Sequence, residues 1–188
     1  MLLFINACVR KESRTKRLAD YLIARLEEPV REEKLFAQTF PVTDQAFLAM
    51  RDEKIAAEAF DDPCFALARE FAAADTVVVA APYWDLSFPA MLKQYFEQIN
   101  VTGVTFSYSP EGIPVTRCRA KRLYYVTTAG GKIFSDECGF GYVKMLAKGL
   151  YQIPLVQQVK AEGLDVEGAD VPAILRRAEM DIDRLVKG

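Results

Sequence analysis

The sequence predicts one doubly wound α/β domain over residues 1–188: an open five-stranded parallel sheet, order 2-1-3-4-5, with helices on both faces. Three observations carry that expectation. Short apolar runs alternate with segments whose apolar residues recur at helical spacing, the signature of repeated strand–helix units. Leu2 to Asn6 and Thr76 to Ala81 lack polar alternation, as strands covered on both faces do. Five main runs fit the five-stranded order better than the six-stranded dinucleotide order. A chain of 188 residues that is 51% hydrophobic can bury one sizeable core. No repeat or low-complexity linker divides it.

Each element follows from its residues. Leu2 to Asn6 reads as a fully buried strand. Residues 7 to 13 are a loop, and Leu18, Tyr21, Leu22 and Leu26 then mark a helix that ends before Pro29. Val30 to Phe36 suits a second strand. Phe47, Leu48 and Ile55 suit a helix in an excursion over residues 41 to 60. Asp62-Pro63 has the form of a cap followed by a first-turn proline, with Leu67, Ala68 and Phe71 on one face beyond it. Thr76 to Ala81 is the clearest strand, and Pro89 to Ile99 the helix after it. Gly103 to Tyr108 alternates like an exposed strand and meets the turn signature Ser109-Pro110-Glu111-Gly112. Leu123 to Thr128 is a further buried strand, followed by a helix through Tyr142, Val143, Leu146 and Leu150. Ile153 to Val159 is the last strand. Val171, Ile174, Leu175, Ala178, Ile182 and Leu185 trace a clean amphipathic helix.

Composition excludes several chemistries. There is no histidine, so no Ser–His–Asp triad, Cys–His pair or histidine-ligated zinc can be built, and no metal site is expected. Lys and Arg number 24 against 26 Asp and Glu, which lacks the basic excess of a nucleic-acid binder. No run approaches the roughly 18 apolar residues of a membrane span. The apolar N-terminus has its basic residues, Arg10 and Lys11, after it and not before it, unlike a secretory signal. The four cysteines are widely spaced without C-x-x-C, which suits free thiols in a cytoplasmic protein.

In the order 2-1-3-4-5, strands 1, 3 and 4 are contiguous, and ligands sit beyond their carboxyl ends where the order reverses. Three loops leave those ends: residues 6–16, 82–88 and 128–135. In the first, Ser13 and Thr15 place hydroxyls at a helix N-terminus, an anion-binding position, although Ser13 also suits a plain N-cap. The second carries Tyr83 and Trp84, which can cover a flat ring system or simply pack the turn. The third carries Gly130-Gly131, which admits close backbone approach. Neither G-x-G-x-x-G nor a complete triphosphate loop is present, since Val126 and Ile133 occupy positions the latter needs.

Taken together the loops resemble those of the FMN-dependent NADH azoreductase and NAD(P)H quinone reductase family, of flavodoxin-like fold. The resemblance rests on Ala81 to Pro89 with Leu92-Lys93-Gln94-Tyr95-Phe96 after it, on Gly103 to Tyr108, on Val126 to Gly131, on Ser13-x-Thr15 and on Ala161-Glu162-Gly163. It implies that Ser13, Arg14 and Thr15 hold the FMN phosphate. It places Pro82, Tyr83, Trp84, Asp85 and Leu86 along the flavin ring and ribityl chain, and Thr128, Ala129, Gly130 and Gly131 at the ring's other edge. NADH or NADPH would supply hydride in a ping-pong route to a quinone, azo or nitroaromatic acceptor, the cofactor carrying the chemistry. FAD in place of FMN stays open. Tyr83 and Tyr108 are candidate proton donors. Phe106, Tyr108 and Phe134 are candidate substrate contacts, and the Gly103–Tyr108 ribbon a candidate roof over the partner's site in a homodimer. Two departures stand out: Asp85 where the family commonly has Asn, and Trp84 where it has Tyr. A flavodoxin-like electron carrier is an alternative, though carriers favour a strongly acidic face. A flavin-binding regulatory protein without turnover is another.

Overall fold

The computed structural model describes residues 1–187. In chain order it contains β1 (Leu2–Asn6), α1 (Arg14–Leu26), β2 (Val30–Lys34), α2 (Gln45–Ala56), α3 (Ala66–Ala73), β3 (Thr76–Ala80) and α4 (Ala90–Ile99). Next come β4 (Phe106–Tyr108), β5 (Pro114–Thr116), β6 (Arg122–Thr128), α5 (Tyr142–Gly149), β7 (Leu155–Ala161) and α6 (Val171–Lys187). The main sheet runs β2-β1-β3-β6-β7 with every pair parallel, which is the expected order 2-1-3-4-5.

Alternating side chains of the central strands feed two cores, which is why β1 and β3 are buried at every position, while the edge strands β2 and β7 carry exposed polar residues. Leu3, Ile5, Val77, Val79, Leu123 and Tyr125 pack with α3, α4 and α5 on one face. Leu2, Phe4, Val78, Ala80, Tyr124 and Val126 pack with α1 and α6 on the other. Register shapes the carboxyl edge of the sheet. Asn6 lies level with Ala80 and Ala80 with Val126, whereas β6 continues past that line to Thr128, opposite Ala161 of β7. The edge is therefore stepped, and the step stands beside the point where the order reverses.

The boundaries differ from expectation where side chains redirect the backbone. Leu35 leaves β2 for a 3-10 turn because its side chain is drawn into the core. The last strand begins at Leu155 because Ile153 donates its amide to Ala147 O, closing α5, and Pro154 has no amide to give. Of the segment 103 to 108, just Phe106–Tyr108 is strand, paired antiparallel with β5. Residues 101–105 instead wind around Thr105, whose hydroxyl donates to Ile99 O (2.7 Å) and accepts from the Val101 amide (3.2 Å). The excursion does hold a helix, α2, capped by the Asp44 carboxylate on the Phe47 amide, but it buries none of its residues.

Candidate functional site

A cavity of about 300 Å³ lies at the stepped edge. The expected loops after β1, β3 and β6 all contribute to its wall, and so does a fourth, after β7, through Leu164 and Asp165. The sequence entered this loop through Ala161-Glu162-Gly163, as part of the resemblance, and gave Leu164 and Asp165, which carry no motif, no site role. In the structure Gly163 has a φ of +76°, marking a sharp turn directly after the strand.

The first loop is organised by its own polar groups. Asn6 accepts the Cys8 amide at its Oδ1 (2.9 Å) and donates to Glu32 (2.8 Å), fixing the exit from β1. Ser13 is the N-cap of α1: its Oγ accepts the Lys16 amide (3.2 Å). The amides of Arg14 and Thr15, at the first two helical positions, lie outside the intrahelical ladder and leave a seat for an anion beside the positive end of the helix dipole. Thr15 Oγ1 and Thr128 Oγ1 share a buried hydrogen bond of 2.7 Å, bracing α1 against the end of β6. Arg14 Nη1 donates to Leu164 O (3.1 Å) and to Asp165 Oδ1 (2.7 Å). Cys8 is buried beneath the loop, and burial pushes its thiol up to about 11, so it sits there as a neutral small side chain and not as a nucleophile.

The second loop extends the sheet by one rung, since the Tyr83 amide donates to Thr128 O (3.0 Å). Trp84 and Ser87 then exchange both backbone hydrogen bonds (3.1 and 2.8 Å) around a two-residue turn. Its central residues, Asp85 (φ 49°) and Leu86 (φ 65°), are both left-handed without a glycine between them. The Ser87 hydroxyl fastens this turn to the loop after β6 by donating to Cys138 O (2.5 Å). Pro82, Tyr83 and Trp84 line the cavity. Asp85 and Leu86, expected along the flavin, are exposed in the turn beyond Trp84 and do not line the cavity. The Tyr83 hydroxyl is buried and has no hydrogen-bond partner in the chain.

In the third loop Thr128, Ala129 and Gly130 line the cavity, while Gly131 lies further out and accepts the Gly163 amide. A Cβ at Gly130 would occupy the place of Asp165 Oδ2, so a larger residue there would displace that carboxylate. The three aromatics expected on the substrate side do not reach the cavity wall of this chain. Phe106 is 6% exposed, packed edge-on against Tyr108 within the ribbon, because the winding about Thr105 turns it inward. Tyr108 and Phe134 point to solvent, 55% and 81% exposed. Among the described residues no group of metal-ligating side chains is assembled.

The arrangement resembles known proteins throughout its length. The family model described as the flavodoxin-like fold matches residues 1–183. An FMN-dependent NADH:quinone oxidoreductase of Lachnoclostridium phytofermentans is 32% identical over 187 residues, covering 95% of this chain and 93% of that one. The FMN-dependent NADH:quinone oxidoreductase 2 of Clostridium acetobutylicum is 33% identical, covering 93% and 92%. Among solved structures, an FMN-dependent NADH-azoreductase from Bacillus anthracis in complex with FMN superposes with a TM-score of 0.80 at 21% identity, covering 99% and 97%. The chain belongs to the family of FMN-dependent NADH:quinone oxidoreductases, on the flavodoxin-like fold.

Proposed function

We propose that this chain is an FMN-dependent NADH oxidoreductase that reduces quinones and related azo or nitroaromatic acceptors. One observation carries the reading: an anion seat and an aromatic wall are the two ends of a single cavity at the reversal of the strand order. The residues fit FMN. The uncommitted amides of Arg14 and Thr15, with Ser13, suit its phosphate; Pro82, Tyr83 and Trp84 suit an apolar ring with polar edges; Thr128 to Gly130 offer backbone from the other side. The unpartnered Tyr83 hydroxyl, buried in that wall, supports a polar partner supplied by a ligand.

Bound FMN would supply a two-electron hydride acceptor and donor. The chain's residues bind, orient and exclude water. Asp85 sets a negative charge on the rim, opposing accumulation of negative charge at the ring. Tyr83, in the cavity wall, and Tyr108, exposed on the ribbon, are the candidate proton donors. One cleft serves reductant and acceptor in turn, with NADH as reductant and NADPH the weaker choice.

A homodimer would have exposed apolar side chains to cover, Leu86, Ile113, Val115, Phe134 and Met145 among them. In that dimer the exposed Tyr108 and Phe134 would serve the partner's site, while Phe106 supports the ribbon from within. All four cysteines are unpaired, which supports a reducing, cytoplasmic setting. No helix among the described residues is long and apolar enough to cross a membrane. The test is direct. Purified protein mixed anaerobically with FMN and NADH should bind flavin and bleach its absorbance near ~450 nm, then recover it on adding a quinone. Flavin binding with slow single-electron chemistry and no NADH reaction would point to a carrier; no flavin binding at all would sink the reading.

A further inference from the structure

We infer that Arg14, Gly130 and Asp165 form a clasp across the phosphate end of the cavity, and that this clasp restricts the site to the mononucleotide flavin and excludes FAD. The inference rests on the FMN reading and goes beyond it, since that reading names no residue that chooses between flavins.

Three loops meet at this point. Arg14, the first residue of α1, reaches over to Leu164 O (3.1 Å) and Asp165 Oδ1 (2.7 Å) in the loop after β7. That loop is itself laced to the one after β6 by three backbone hydrogen bonds: Gly163 to Gly131 O (2.9 Å), Leu164 to Ala129 O (3.2 Å) and Asp165 to Gly130 O (2.8 Å). The Asp165 carboxylate lies directly over Gly130, in space that a Cβ would take. The lacing fixes where Asp165 stands, so the carboxylate–guanidinium bridge is the movable part of the closure.

The bridge is half-exposed, so its ion-pair energy is small. Its effect is one of position. A flavin phosphate seated at the Arg14 and Thr15 amides would lie beside Arg14 and Asp165, which both line this end of the cavity. The nucleotide half of FAD is joined to that same phosphate and would have to pass the bridge, where its second phosphate would meet the Asp165 carboxylate as a like charge. FMN lacks that second phosphate.

Two substitutions open the clasp by different routes. Asp165→Ala removes the carboxylate. Gly130→Ala keeps every charge but expels the carboxylate from its seat. Apoprotein of each is titrated separately with FMN and with FAD, following quenching of flavin fluorescence, with release rates measured by dilution and thermal melts recorded alongside. The parent protein should prefer FMN by about a hundredfold or more, and each variant should narrow that ratio about tenfold, chiefly by gaining FAD. FMN should also leave the variants faster. The proposal is overturned if the ratio is unchanged while both affinities fall together, the mark of a merely structural role. It is overturned equally if the parent protein binds the two flavins alike. Failure of the parent to bind either flavin would instead overturn the FMN reading, and this inference with it.

Discussion

The rim of the cavity and the excursion over residues 41 to 60 are both built from chain outside the main sheet, yet they are held in opposite ways. At the rim, short polar side chains and backbone amides pair with one another, the Thr15–Thr128 contact in buried surroundings. Thr15 meets Thr128, the Tyr83 amide meets Thr128 O, and the Asp165 amide meets Gly130 O. No residue of α2 is fully buried; Ile55 packs part-buried against the core, and long cationic side chains supply the polar anchors. Arg51 donates to Glu97 O (3.0 Å) and Asn100 O (2.7 Å) at the end of α4, and Lys54 pairs with Asp62 (2.5 Å). Buried pairing leaves no water to substitute for a lost partner, whereas exposed anchoring does. Damage at the rim should therefore cost global stability, and damage at the excursion should stay local.

The largest effect should come from Thr15→Val, which keeps shape and removes one hydroxyl. It strands Thr128 Oγ1, whose residue is 8% exposed, without its partner. An unsatisfied buried hydroxyl costs about 1–3 kcal/mol. A chain of this size should then melt roughly 2–8 °C lower, and FMN should bind more weakly, because the α1 terminus loses its brace. The double variant with Thr128→Val, which leaves nothing stranded, should recover part of the loss. Full additivity of the two single losses would contradict the pairing.

Where the sequence was legible, one physical rule decided the outcome. Strands covered on both faces must be apolar at every position, and Thr76 to Ala80 is, so the sheet order and the reversal point could be read. Amphipathic period did the same for α1 and α6. Residues whose place depends on a distant partner were not legible. Asp165 is an ordinary surface aspartate until Gly130 is seen beneath it. Phe106 alternates like an exposed strand residue until the Thr105 hydroxyl winds the chain and turns it inward. The short π-helical segment Glu137–Gly141 has no signature either, because it answers to the Gly141 amide bonding back to Asp136 O (2.6 Å).

Arg51→Ala tests the other half of the contrast. It removes two charge-assisted hydrogen bonds to the carbonyls that end α4, where a cation also meets the negative end of the helix dipole. Their replacement by water should hold the cost to about 1 kcal/mol. Amide exchange should quicken across α2 and the last turn of α4 while the strands stay protected. FMN affinity should be unchanged, since Arg51 takes no part in the cavity wall. A fall in the protection of β1 or β3 would mean that the excursion is coupled to the core after all.

Leu86→Gly should have the smallest effect, and of the opposite sign. The turn between Trp84 and Ser87 requires positive φ at both central positions, and Leu86 adopts it at 65° with 59% of its surface exposed. A residue with a Cβ is strained in a conformation that glycine adopts freely, but glycine loses more backbone entropy on folding. The first effect slightly exceeds the second, so the variant should gain about 0.5 kcal/mol, read as a small rise in denaturant midpoint at constant slope. The gain has a consequence at the site. Leu86 is one of the exposed apolar residues proposed to face a partner, so the more stable monomer should form the weaker dimer, seen by sedimentation at low concentration. If stability rises and self-association is unmoved, Leu86 is strained for the sake of the turn alone. If both are unmoved, the turn tolerates leucine at no cost, and the rim is less tightly specified than its hydrogen bonds imply.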